Sequence, residues 1–217
     1  PMYTGQPWTL NGNVMVKQAI RHVKHKYCLH SKGAKFPISL RAIRAMLPHL
    51  PGWPRAAHMS NDDNLFAAAS LVATLAFLRG GEFFASTKSV RPILLGRDVF
   101  VRTVNGTPTV VVRIPRPKQA WWEEYLEANC FLLAGQGDFC PELRLKSYRR
   151  SSVVPLGELD PAFRMANGAP LTRDWMVQRT AELLAAADFY TLDALGQRVA
   201  VKARSWRAGG VTSATEA

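Results

Sequence analysis

The residues of this chain best suited to chemistry are cations at the ends of elements. Arg79 and Glu82 lie in Leu78-Arg79-Gly80-Gly81-Glu82, directly after a long apolar run. Arg204 and Arg207 lie in Arg204-Ser205-Trp206-Arg207-Ala208-Gly209-Gly210. Between them, Arg116-Pro117-Lys118 comes just after a strand-like run. Each cation stands at the edge of a segment that otherwise reads as core. Two arginines and a lysine drawn from separate element ends suit a phosphate, because each guanidinium offers a planar fork to two oxygens.

Charge agrees with an anionic partner. The 217 residues carry 28 Lys and Arg against 16 Asp and Glu, a net charge of +12. A domain this basic usually meets a polyanion, with nucleic acid first and an acidic membrane surface second. The three cysteines Cys28, Cys130 and Cys140 lack metal-ligand spacing and read as the reduced thiols of an intracellular protein. His22 and His25 share a candidate helix face but read as solvated residues of a basic helix, so no metal and no cofactor are expected. The longest apolar run, Leu65 to Leu78, is shorter than the ~20 residues of a membrane span, and no signal peptide is visible.

The elements that must position these residues are legible in the periodicity. Val14 to Cys28 reads as an amphipathic helix and Ser31 to Phe36 as a linker. Ser39 is a candidate N-cap for a helix striped by Leu40, Ile43, Leu47 and Leu50 and ended by Pro48 and Pro51. Ser60 to Asp63 caps a helix over 64–78 that is apolar all round and therefore central. Asp98 to Ile114 reads as a hairpin turning at Asn105-Gly106, with a third strand expected over Ala128 to Leu133. Further helices are expected over Glu142 to Arg150 and, capped by Thr172, over Arg173 to Ala187. A last one begins near Arg207. The order predicts an α+β fold, mostly α, with a small three-stranded antiparallel sheet.

Arg79-Gly80-Gly81-Glu82, a three-stranded sheet, a lysine in its second turn and a late Ser-Trp-Arg-x-Gly-Gly, in that order, resemble the catalytic domain of the tyrosine recombinases, the phage-integrase family. Ile114 to Lys118 and Phe139-Cys140-Pro141 resemble in particular the recombinases of eukaryotic mobile elements. The resemblance spans 36–217. Residues 1–35 are then the end of a helical, DNA-clamping N-terminal domain plus its linker. It implies double-stranded DNA as partner, self-association on DNA, no membrane, and a nuclear location in a eukaryote or the nucleoid otherwise.

The resemblance also implies roles. Arg79 and Arg207 match the two catalytic arginines, Glu82 the supporting acid, and Lys118 the lysine that protonates the leaving 5′-oxygen. Arg204 occupies the usual histidine position, and arginine is a poor general base. The family's nucleophilic tyrosine comes after the second arginine, whereas Tyr3, Tyr27, Tyr125, Tyr148 and Tyr190 all precede Arg207. The segment with the nucleophile is therefore expected to be missing, and the chain alone inactive. Lys88, Arg91, Arg113 and Arg116 around the sheet, and Arg144, Lys146, Arg149 and Arg150 on one helix, are candidate DNA-backbone contacts. Two other readings stay open: a non-catalytic DNA-binding derivative of the family, and a basic helical scaffold for RNA or acidic proteins.

Overall fold

Residues 36–85, 93–115, 125–130, 133–192, 195–202 and 205–207 are described by the computed structural model. The expected helix over 14–28 and most of the linker lie outside them. The chain divides into two units, one of 1–34 with 191–199 and one of 35–190 with 200–217. In the first, Leu192 and Arg198 form a bridge, closed by the Val199 N–H donating to the Thr191 carbonyl at 2.8 Å. The helices and the sheet belong to the second unit.

Helix α1 is Leu40–Met46. The Ser39 hydroxyl accepts the Ala42 N–H at 3.3 Å, satisfying one of the amides a helix start leaves unpaired. Ala42, Ile43 and Met46 face the interior, and a 3-10 turn over Leu47–His49 takes up Pro48.

Helix α2 is Asn61–Leu75. The Ser60 hydroxyl accepts the Asp63 N–H at 3.1 Å and donates to the Asp63 carboxylate at 2.7 Å. Asp62 and Asp63 place negative charge at the positive end of the helix dipole. Every residue from Asp63 to Leu75 is buried, as the unbroken apolar pattern predicts, so α2 is the central element.

The end of α2 directs the chain toward Arg79. The Leu78 N–H donates to the Ala73 carbonyl at 2.9 Å, and the Phe77 N–H to the Thr74 carbonyl at 3.3 Å. These are the two bonds of a Schellman closure, with Phe77 at the left-handed position where glycine is usual (φ 53°). Leu78 is thereby turned into the core, and α3, the single turn Gly80–Phe83, begins after Arg79.

The sheet has the order β1-β2-β3, all antiparallel: β1 Val99–Val104, β2 Thr107–Pro115 and β3 Tyr125–Cys130. Asn105 and Gly106 both adopt positive φ (50° and 78°), as a two-residue hairpin turn requires. The third strand departs from expectation by about three residues. Its register is set by polar and aromatic partners, Arg113 opposite Glu127 and Pro115 opposite Tyr125, rather than by the apolar stretch that includes Leu133, which lies in the next turn.

Helix α4, Pro141–Ser151, opens on a proline whose missing N–H is no loss there, and it packs along α2. Helix α5 is Arg173–Ala186, with the Thr172 hydroxyl accepting the Trp175 N–H at 3.4 Å. Residues 205–207 are helical, starting slightly before the expected position. The fold is α+β, with a helical core centred on α2 and a small antiparallel sheet.

Candidate phosphate-holding site

Arg79 is fixed by its own turn. The Glu82 carboxylate accepts the Arg79 backbone N–H at 2.6 Å and a guanidinium N–H at 3.2 Å. The turn is tied down on both sides: the Leu94 N–H donates to the Glu82 carbonyl at 2.9 Å, and the Ala85 N–H to the Leu171 carbonyl at 3.0 Å. The Arg79 side chain keeps 29% of its surface exposed and Glu82 17%. The result is a charged group held in a preset orientation at a rim, the condition for binding an anion without reorganisation.

The turn that carries Arg207 is packed against the turn that carries Arg79 by aromatic residues. Trp206 is fully buried and meets two rings of the α3 turn edge-on: Phe83 at 6.1 Å and Phe84 at 5.6 Å between centroids. Offset and T-shaped pairs of this kind add to the stability given by burial. The backbone just before is pinned as well. The Ile38 N–H donates to the Ser205 carbonyl at 3.0 Å, and the buried Ser205 hydroxyl accepts the Lys202 N–H at 3.0 Å. Arg207 then emerges half-exposed, and among the described residues no carboxylate pairs with it. Lys118 and Arg204 lie outside the described residues, as do Lys88, Arg91 and Arg116.

The remaining candidates separate by environment, and Arg144 needs correcting. It is 4% exposed and fully engaged inside the protein. Its guanidinium donates to the Asp138 carbonyl (2.6 Å), the Asp138 carboxylate (3.3 Å) and the Pro54 carbonyl (2.9 Å), and it lies 3.9 Å from the centre of the Trp53 ring. Burial pushes its pKa below the usual arginine value. It is a packing residue, not a DNA-backbone contact. Arg149 is exposed as a residue, but its guanidinium donates to the carbonyls of Val99 and Gly96 and so ties α4 to the start of β1; partial burial lowers its pKa. Helical periodicity shows that four basic residues share an element but not which way each one points.

Arg113 lies between the rings of Phe100 (4.7 Å) and Tyr125 (5.2 Å) and donates to Glu127 at 3.1 Å. Arg102 donates to the same carboxylate at 3.0 Å. These two bonds hold the Glu127 pKa below the usual carboxylate value. Lys146 pairs with the buried Glu142, and Arg150 is exposed. On α4, therefore, Lys146, Arg149 and Arg150 are exposed, with Arg149 held by the two carbonyls it meets.

Sequence reasoning passed over the aromatic joint itself. Phe83-Phe84 directly after Glu82, and a tryptophan beside Arg207, were the available signal. Among the described residues no cluster of His, Cys, Asp or Glu is arranged to hold a metal ion, and no helix is long and apolar enough to cross a membrane.

No protein-family model and no curated protein matches the chain. Among solved structures, the chain is similar to the XerH site-specific recombinase bound to its difH substrate in a pre-cleavage complex, with 15% identity and a TM-score of 0.49. The match covers 88% of this chain and 46% of that one, so the chain spans about half the length of the recombinase it resembles.

Proposed function

We propose that the chain is the DNA-holding part of a tyrosine recombinase, a protein that cuts and rejoins DNA strands by transesterification through a phosphotyrosyl intermediate. The observation that carries this reading is the packing of Trp206 on Phe83 and Phe84, which joins the turn bearing Arg207 to the turn bearing Arg79 and Glu82. In this reading Arg79 and Arg207 take the non-bridging oxygens of the scissile phosphate, where charge grows in the transition state. Glu82 keeps Arg79 aimed, Arg204 adds a further donor, and Lys118 gives its proton to the leaving 5′-oxygen. Lys146 and Arg150 grip the backbone to either side, adding affinity without reading sequence. Two copies meet on the DNA, and the Ile114–Lys118 and Phe139–Pro141 stretches favour a mobile element of a eukaryotic nucleus as the source.

The test is binding of a fluorescein-labelled duplex followed by anisotropy. If six to ten phosphates are engaged, affinity falls by ~10³ or more between about 50 and 200 mM salt. A protein that ignores duplex DNA, or binds it with no salt dependence, overturns the proposal and favours an RNA- or protein-binding scaffold.

A second reading, a DNA-binding derivative without catalysis, is favoured by arginine at position 204 and gives no catalytic part to the tyrosines. Of these, Tyr148 is committed elsewhere: its hydroxyl accepts the Arg164 N–H at 2.7 Å and donates to the Arg164 carbonyl at 3.1 Å, and the residue is fully buried. A nicked suicide duplex tests what both readings share. Residues 1–217 are expected to yield no phosphotyrosyl adduct, and an adduct traced to a described tyrosine would place the nucleophile elsewhere.

A further inference from the structure

Phe77, near the candidate site, breaks two rules at once. It sits at the left-handed position of the α2 closure, φ 53°, where a side chain with a Cβ costs about 1–2 kcal/mol relative to glycine. It also leaves 37% of its surface exposed. Neither feature is needed by the fold: glycine closes a helix this way without strain, and the exposed part of the phenyl ring forgoes burial. Backbone strain of this kind is kept where surrounding structure enforces it and function uses it. The two closure bonds to Thr74 and Ala73 supply the enforcement. Two residues further on stands Arg79, already aimed by Glu82.

We propose that Phe77 is a nucleobase-stacking residue, placed to receive the face of a base next to the phosphate held by Arg79. This rests on the DNA-holding reading. An aromatic face pairs with any base without regard to sequence, and apolar rings inserted at a base step hold it unstacked. The strain then has a use. The left-handed turn leaves the ring partly exposed two residues before Arg79. Because the ring carries no charge, its contribution should be independent of salt, unlike that of Arg79.

The test compares the protein with Phe77→Gly, Phe77→Asn and Phe77→Trp on two labelled mixed-sequence duplexes, one continuous and one with a central single-nucleotide gap that frees a base face. Glycine and asparagine suit the left-handed turn, so their Tm should be unchanged or higher. Their affinity for the gapped duplex should fall about fivefold or more, with the salt slope unchanged. Phe77→Trp should retain affinity. The proposal is overturned if the glycine and asparagine variants bind as tightly as the parent. It is equally overturned if their Tm drops, which would make the ring a packing group, or if tryptophan fails to restore binding. A parent protein that binds neither duplex defeats the DNA-holding reading itself, an outcome distinct from a parent that binds while all variants match it.

Discussion

Trp206 stands edge-on to Phe84, with centroids 5.6 Å apart and ring planes at 77°. The two residues are far apart along the chain. Phe84 comes just after the turn that carries Arg79, and Trp206 immediately precedes Arg207. Charged side chains at a rim cannot hold their own spacing, because a guanidinium on a flexible stem gains little from a partner across water. A buried aromatic joint beneath them can. Apolar burial at this point brings two cationic turns together.

Trp206→Ala should destabilise the protein by about 3–5 kcal/mol, the usual result of emptying a fully buried aromatic site. Trp206→Phe should cost much less. It keeps an aromatic edge toward Phe83 and Phe84, and it removes an indole N–H that is buried without a hydrogen-bond partner among the described residues. Urea unfolding of the three proteins measures both values. Equal losses would mean that the indole volume matters and the joint does not.

The sequence was informative wherever one local rule decided the outcome. Ser39, Ser60 and Thr172 cap the helices they were expected to cap, and Asn105-Gly106 turns the hairpin. It was uninformative wherever direction depended on a distant partner. Arg144 and Arg150 look alike on a helical pattern. Which one is buried is settled by Trp53, Pro54 and Asp138, residues that lie outside the helix. The start of β3 depended in the same way on Glu127 finding Arg113. At the site, the turn holding Arg79 could be anticipated from Glu82, three residues on. The packing that joins it to Arg207 could not, since it requires knowing which of many aromatic residues meet.

Arg144 and Arg150 should therefore separate stability from binding. Arg144→Ala strips two carbonyls of their donor and removes the cation from the Trp53 face, a cost of about 2–3 kcal/mol. Arg150→Ala should change stability by less than about 0.5 kcal/mol, as expected for a solvated position. In duplex binding the order reverses: Arg150→Ala reduces the slope of log affinity against log salt by about one. Arg144→Ala, measured where it is still folded, leaves the slope alone. Thermal melts and anisotropy titrations check the pair.

Cys130 gives a pH signature. It is fully buried in β3, and desolvation pushes its thiol up to about 12. A folded-state value raised above the unfolded one means that the neutral thiol belongs to the native state. Its stabilisation is complete below about pH 8.5, the ordinary thiol value, and is lost as pH rises toward the folded value. Relative to Cys130→Val, the parent protein should lose stability across that alkaline window, and the difference between the two should be constant below it. The native thiol should also resist iodoacetamide until the protein unfolds. Rapid labelling of the native state would contradict the buried placement.

If Arg79 and Arg207 hold one phosphate, their contributions to binding must be coupled. Each single alanine variant should lower the salt slope by about one, because each removes one cation from a backbone contact. Two independent contacts would give a double variant lacking about two, with affinity losses that add, as is usual for sites without shared partners. A shared phosphate behaves differently. Once either arginine is gone, the phosphate is held loosely and much of its counterion atmosphere returns, so the second loss removes little more. The expected result is a double variant whose slope and affinity lie close to those of the worse single variant. The comparison uses the same labelled duplex throughout, with Arg97→Ala, an exposed cation of the turn before β1, as the control. Paired with Arg79→Ala, it should add fully. Full additivity between Arg79 and Arg207 would place them on separate phosphates and leave the aromatic joint as a packing feature alone.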